Sequence, residues 1–193
     1  SSSMAVRIVE NCCSPLFLDF VRHQVEKSDR WNFKYPIGAP FDEKHAKIEI
    51  ISGQGQGTPD QRLAGIAMSL MIQIYEMASD IITPNIMFCG VSIKDKYRKD
   101  NLHTDHVNDP KSMKLIKVLG ILNTDWQDSW GGGFEHGGEV YPVRPTDFII
   151  FDSKIEHRAA DILVDKKRIA IDFTMQGLHH DFALGEGERY NVN

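Results

Sequence analysis

Residues 145–175 read PTDFIIFDSKIEHRAADILVDKKRIAIDFTM and contain three short β-type segments in close succession. FIIFD (148–152), IEHRAADILV (155–164) and RIAIDFTM (168–175) are rich in β-branched and aromatic residues, and only short polar turns separate them. Turns this short leave no room for a crossover helix, so the segments predict strands of an antiparallel sheet.

The segments upstream extend this pattern back to Pro84. NIMFCGVSI (85–93), KLIKVLGIL (114–122) and EVYPV (139–143) are also predicted as strands. Six or more short strands without βαβ alternation are typical of an antiparallel barrel or jelly roll, and they disfavour a parallel nucleotide-binding sheet.

The region before Pro84 has two helical patterns. In residues 15–27, Ser14 is a suitable N-cap and Pro15 a suitable first helical residue. The predicted apolar side of this helix comprises Leu16, Phe17, Phe20, Val21 and Val25. A second helix is predicted to begin with Thr58 as N-cap and Pro59 at the first position. Its predicted apolar face comprises Leu63, Ile66, Ala67, Leu70, Met71, Ile74 and Met77.

Composition predicts one globular domain over residues 4–193, with a helical support region (4–84), a β core (85–176) and a C-terminal tail (177–193). The chain has 193 residues, 41% hydrophobic, and Ser1 to Ser3 are interpreted as a vector remnant ahead of Met4. A net charge of −5 disfavours nucleic-acid or anionic membrane partners. Three cysteines, two of them adjacent, and no apolar run of membrane-spanning length predict a reduced, cytoplasmic protein.

A candidate metal site begins in NLHTDHVND (101–109). His103 and Asp105 are two residues apart, so on an extended chain they point to the same side. By itself the pattern fits a solvated loop as well as half of a metal site. His157 lies 54 residues further on, among apolar strands, and Arg168 follows 11 residues later. Two histidines and one carboxylate form the facial triad that holds Fe(II), and a guanidinium is a suitable partner for a carboxylate co-substrate.

His103-x-Asp105, His157 and Arg168 on a β-rich chain resemble the Fe(II)- and 2-oxoglutarate-dependent dioxygenases, in particular their prolyl-hydroxylase-like branch. VLGILNTDW before WGGGFE, PTDFIIFDSKIEHRA and KKRIAIDF are similar to successive strands of that branch, over residues 85–176. The resemblance implies a mainly β (α+β) chain with a cupin-like double-stranded β-helix, or jelly-roll, core and N-terminal supporting helices. It also implies hydroxylation of a C–H bond with O2, supported by ascorbate.

The resemblance implies a role for each site residue. His103, Asp105 and His157 would bind iron, and the retained aspartate favours hydroxylation over halogenation. Arg168 would pair with the distal carboxylate of 2-oxoglutarate. Thr174, on the same face of the last strand, is a further candidate contact to co-substrate or substrate.

Three further residues are candidate substrate contacts: Asp172, which is alternatively paired inside the protein, and Tyr97 and Trp130. The second contact to the co-substrate stays open, because the strand at 114–122 offers Leu119 and Ile121 where the branch often has a tyrosine. A charged loop at residues 95–101 is either a lid or a solvated hairpin.

The expected substrate is a prolyl residue of a peptide or protein, then a free amino acid or other small metabolite. An alternative is a cupin-like module that binds a metal or another ligand without turnover, which would not need a basic residue inside the barrel. A structural jelly roll without metal is a third possibility. The oligomeric state is not predicted.

Overall fold

A computed structural model describes residues 6–31, 46–52, 60–105 and 115–178. Helix α1 spans Pro15–Glu26, and the Ser14 hydroxyl accepts a hydrogen bond from the Phe17 amide at 3.1 Å, which confirms the predicted cap. The buried face is rotated from the prediction: Leu18, Val21 and Val25 are buried, whereas Leu16 and Phe20 are exposed. The predicted face included two residues on the solvent side because hydrophobic spacing locates a stripe only approximately.

The second helix begins later than predicted. A 3-10 turn at Gln61–Leu63 leads into α2 at Ala64–Glu76, and the Asp60 carboxylate caps the turn by accepting from the Arg62 amide. Thr58 and Pro59 lie outside the described residues. Most of the predicted apolar face is buried, namely Leu63, Ala67, Leu70, Met71 and Ile74. No helix in the described ranges has the length and apolar character needed to cross a bilayer.

In the part of the chain that the structure describes, nine strands form two antiparallel sheets. The larger sheet has the order β1-β7-β4-β9-β3-β2, and the smaller has the order β6-β5-β8. The strand bounds are β1 Val6–Val9, β2 Lys47–Ser52, β3 Ile82–Lys94, β4 Leu115–Ile121, β5 Phe134–His136, β6 Glu139–Tyr141, β7 Phe148–Phe151, β8 His157–Ala159 and β9 Arg168–Gly177. The predicted strands from residue 85 onward are all present, although the segment 155–164 is extended in a named strand only at β8.

Two strands were not predicted: β1 precedes α1 in the chain, and β2 lies between α1 and α2. β1 pairs with β7, and β2 pairs with β3, so each extends one edge of the larger sheet. Both are short, and β2 carries charges at Lys47 and Glu49. Edge strands of this kind are stabilised mainly by pairing with distant strands, which local sequence does not reveal.

Strand β9 separates two hydrophobic cores because its side chains alternate between the two faces of the larger sheet. Ile169, Ile171, Phe173 and Met175 pack on the outer face with α1 and α2. Ala170 faces the other way and packs with residues of β5 and β7 between the two sheets. Arg168, Asp172 and Thr174 share the inward face with Ala170, as the alternation predicts.

Gly120 in β4 provides a test of the outer core. A Cβ atom at this position would lie 2.3 Å from Cε2 of the Phe148 ring, which is fully buried. We expect Gly120→Ala to lower the free energy of unfolding by about 1–3 kcal/mol, because the ring must move within a packed core. Gly65→Ala is the matched control, since nothing lies within 4 Å of its added Cβ in α2. In urea unfolding, the control should have an unchanged free energy of unfolding or one raised by up to about 1 kcal/mol. Equal losses of stability in the two variants would contradict the close packing of Gly120 against Phe148.

Candidate metal centre

Three ligand-type side chains converge where the chain at residues 103–105 lies beside β8. His103 and His157 form a β-bridge, with amide-to-carbonyl distances of 3.1 and 2.9 Å, and the Asp105 amide donates to the Ser153 carbonyl at 3.0 Å. One ligand atom from each of His103, Asp105 and His157 lies within 4.8 Å of the others, and Asp105 Oδ1 is 3.6 Å from each histidine Nε2. Metal bonds of about 2.1 Å place neighbouring ligand atoms about 3 Å apart, so around an ion the two Asp105–histidine separations would shorten by about 0.6 Å and the widest separation by at most about 1.8 Å.

Backbone carbonyls orient both imidazole rings. His103 Nδ1 lies 2.9 Å from the Asn101 carbonyl oxygen, and His157 Nδ1 lies 2.7 Å from the Ile155 carbonyl oxygen. A carbonyl only accepts, so each Nδ1 carries the proton and donates it. In the neutral form of each ring, Nε2 then carries the lone pair and points toward Asp105, which is the tautomer that a metal ligand requires.

Aromatic residues close one side of the group. The His157 ring is buried against Phe134 and Phe151, with ring centroids 5.8 and 5.1 Å away, and against His136. His136 was not singled out from the sequence; its Nε2 lies 3.1 Å from the Asp152 carbonyl, and burial lowers its pKa. The His103 side chain is half exposed. The group is thus held firmly on the β8 side and accessible on the His103 side.

The charge on Asp105 suits a metal ligand. Burial raises the pKa of this carboxyl, but the His157 imidazole and the positive charge of Lys117 more than offset that effect, so the pKa is lowered. The carboxyl is therefore an anion at neutral pH, which is the form that binds a cation.

Arg168 lies at the start of β9 and points between the sheets, where it is 4% exposed. Burial lowers its pKa to about 10, so it still carries a proton at neutral pH. Within the described residues, its Nε and Nη2 have no hydrogen-bond partner. Gly132, at φ 70°, lies against it, with an added Cβ only 3.2 Å from Arg168 Cδ. A buried cation with unpaired donors is costly unless an anion occupies the space beside it.

The loop at residues 95–101 is tied to the barrel near Arg168. Buried Lys94 donates from Nζ to Asp100 at 3.1 Å and to the Ala159 carbonyl at 3.1 Å. Arg98 donates two hydrogen bonds to the Asp100 carboxylate, at 3.0 and 3.2 Å, and a third to the Ile93 carbonyl. These contacts favour an anchored loop over a mobile lid. Tyr97 lies on it with its side chain largely exposed.

Asp172 is paired within the protein. The Lys117 ammonium on β4 donates to Asp172 Oδ2 at 2.8 Å and to Thr174 Oγ1 at 3.1 Å. The sequence pointed to Leu119 and Ile121 as the inward residues of this strand, and Lys117 was not predicted to face inward. The alternation of side chains along a strand could have indicated its orientation, because Lys117 lies two residues before Leu119 and therefore on the same face of β4.

Trp130 lies in the turn at Asp128–Trp130, directly before Gly131 to Gly133. It forms an edge-to-face pair with Trp126 at 5.2 Å, and Lys166 lies 5.1 Å above its ring. Trp126 Nε1 donates to the Gly131 carbonyl at 3.1 Å, so this pair holds the turn beside Arg168. A substrate contact by Trp130 or Tyr97 stays a prediction.

Comparison with known proteins finds similarity in structure alone. No known sequence family and no curated protein matches the chain. HygX from Streptomyces hygroscopicus, solved with nickel, 2-oxoglutarate and hygromycin B, is 12% identical, with a TM-score of 0.63 over 94% of this chain and 86% of HygX. A Pseudomonas putida prolyl-4-hydroxylase is 15% identical, with a TM-score of 0.59 over 90% of this chain and 92% of that one. The viral collagen prolyl hydroxylase of Paramecium Bursaria Chlorella virus-1, solved with 2-oxoglutarate, is 11% identical, with a TM-score of 0.57 over 90% and 97% of the chains.

These alignments span most of each chain at sequence identities of 11–15%. They confirm the predicted fold class, with a mainly β jelly-roll core and supporting helices. The chain has the fold of the prolyl hydroxylases and of HygX.

Proposed function

We propose that this chain is a non-haem Fe(II) dioxygenase that couples oxidative decarboxylation of 2-oxoglutarate to hydroxylation of a C–H bond. In the balanced reaction, one atom of O2 enters the substrate as a hydroxyl group and the other enters succinate, with release of CO2. The iron supplies the oxidising chemistry when bound.

The buried guanidinium of Arg168 is the observation that carries the proposal. A metal-binding module without turnover has no use for a cation that is 4% exposed and has two donor atoms unpaired among the described residues. A dicarboxylate with one end on the metal and the other at Arg168 would supply the missing acceptor.

The other residues have roles that follow from their positions. His103, Asp105 and His157 would bind Fe(II) through the atoms that converge, leaving the remaining positions for co-substrate and O2. Thr174, whose hydroxyl already accepts from Lys117, keeps its O–H free to donate to a bound ligand. Phe134 and Phe151 shield the His157 side from water.

A prolyl residue of a peptide or protein is our first substrate, supported by the likeness to prolyl hydroxylases. A small metabolite or free amino acid comes next, since HygX was solved with hygromycin B. We further propose that residues 4–193 act as one domain, that ascorbate keeps the iron reduced, and that the chain works in the cytoplasm, which its three free cysteines support.

The test is turnover of 2-oxoglutarate by the purified chain with Fe(II), ascorbate and O2. Succinate should form in step with a product 16 mass units heavier than the substrate, from a panel of prolyl peptides, amino acids and amine-bearing metabolites, with about one hydroxylation per decarboxylation. Failure of the wild-type chain to bind 2-oxoglutarate in the presence of metal would overturn the proposal.

A further inference from the structure

Lys117 is a cation on the metal side of the space between the sheets. Its partners across the larger sheet are Thr174 on β9 and Phe151 on β7. Phe151 in turn packs its ring against that of the ligand His157. The Lys117 side chain is 13% exposed, and its Nζ lies 5.4 Å from the centre of the Phe88 ring. The residue is therefore enclosed but not sealed from the pocket.

The charge of Lys117 acts on the metal group. Burial lowers the pKa of Lys117, but the carboxylates of Asp172 and, more weakly, Asp105 raise it by a larger amount. The pKa is therefore above its ordinary value, and the ammonium is charged at neutral pH. Burial is the main cause of the lowered pKa of Arg168, and the charges that act on it are those of Arg98 and Asp100. The two cations thus serve different ends of the pocket, because Arg168 lies six residues, or about 20 Å of strand, from the Thr174 position that faces Lys117.

The ammonium also has a donor to spare. Asp172 and Thr174 take two of its three N–H groups, and among the described residues no third acceptor is recorded. Beside it, the Asp172 carboxylate is ion-paired with the ammonium, and the charge of Asp105 also acts on it. With Fe(II) bound, the ion, Lys117, Asp105 and Asp172 would together carry one net positive charge, which attracts an arriving carboxylate, and without the lysine charge that sum would be zero.

We propose that Lys117 donates its third N–H to the carboxylate at the keto-acid end of 2-oxoglutarate and is the second protein cation that holds this co-substrate. This rests on the function proposed above. Asp172 then acts as a positioning residue that holds the ammonium in place, and its own side chain is about one-third exposed.

The experiment measures the Kd of 2-oxoglutarate by anaerobic calorimetry on protein saturated with Fe(II). We expect Lys117→Met to weaken binding about 10- to 100-fold, the loss of one charge-assisted hydrogen bond. Because this change leaves Asp172 without its cation, the double variant Lys117→Met/Asp172→Asn is measured as well and should show the same loss. Lys117→Arg should retain most of the affinity. Lys167→Met, the same change at an exposed lysine, should bind as the wild type does.

The end of the ligand that Lys117 holds is identified with 2-oxobutyrate, which has the keto-acid end but no distal carboxylate, as a competitor at millimolar concentration. Lys117→Met should weaken this competitor as it weakens 2-oxoglutarate, whereas Arg168→Met should leave it unchanged.

Wild-type affinity in the double variant would overturn the inference, since the lysine would then serve only to neutralise Asp172. The reverse pattern with 2-oxobutyrate would also overturn it. Either result is distinct from failure of the proposed function, in which the wild-type chain does not bind 2-oxoglutarate at all.

Discussion

His103→Ala should abolish metal-dependent turnover of 2-oxoglutarate while leaving the fold intact. With His103 removed, Asp105 and His157 are the ligands left, and since loss of an outer hydrogen bond to a ligand alone costs 10- to 100-fold in metal affinity, we expect a loss of more than about 100-fold. The His103 side chain is half exposed, and its backbone bridge to His157 does not depend on the ring. The midpoint of thermal unfolding without metal should therefore change little.

Metal titration by calorimetry and succinate formation measure this effect. His23→Ala removes an exposed histidine from α1, away from the bridge, and is the matched control. His157→Ala should lose metal as well, but it also leaves a cavity beside Phe134 and Phe151 and is expected to cost stability. Retention of tight metal binding by His103→Ala would exclude the three-residue site.

Arg168→Met should separate binding from stability. We expect the affinity for 2-oxoglutarate to fall about 100-fold, because two charge-assisted hydrogen bonds to a carboxylate are worth about 3 kcal/mol or more. The same change should raise the free energy of unfolding of the ligand-free protein by about 1–3 kcal/mol, since it removes a buried cation two of whose donor atoms have no partner among the described residues. Methionine fills much of the same volume without a charge.

Urea unfolding without ligand measures the free energy of unfolding, and calorimetry measures the affinity for 2-oxoglutarate. Lys167→Met, one residue away and exposed, should change neither. A variant that loses stability and keeps its affinity would show that Arg168 is a structural residue. An increase in both quantities would be equally incompatible with a co-substrate contact.

Much of the site could be predicted because its residues obey local rules. His103 and Asp105 share a side by strand alternation, and Arg168, Asp172 and Thr174 share the inward face of β9 for the same reason. The closeness of His157 to His103 is a property of the fold, and the family resemblance supplied it. The Ser14 cap of α1 needed only its immediate neighbours.

Other features depended on contacts between distant segments. β1 and β2 are strands because β7 and β3 offer them free edges. Lys117 was overlooked because a lysine is ordinarily expected in solvent, and only the positions of Asp172 and Thr174 on the neighbouring strand make its inward orientation favourable. The exposed side of α1, with Leu16 and Phe20, could not be told from its buried side by spacing alone.

The β-bridge between His103 and His157 bears on whether the fold depends on the proposed metal. Peptide groups, not the ion, hold the ends of this 54-residue excursion together, so arrival of a metal need not supply the roughly 3–4 kcal/mol of loop-closure entropy. Zinc fingers, by contrast, fold only when loaded. For the proposed iron enzyme, we therefore expect the metal-free chain to keep its fold and to bind iron again without refolding.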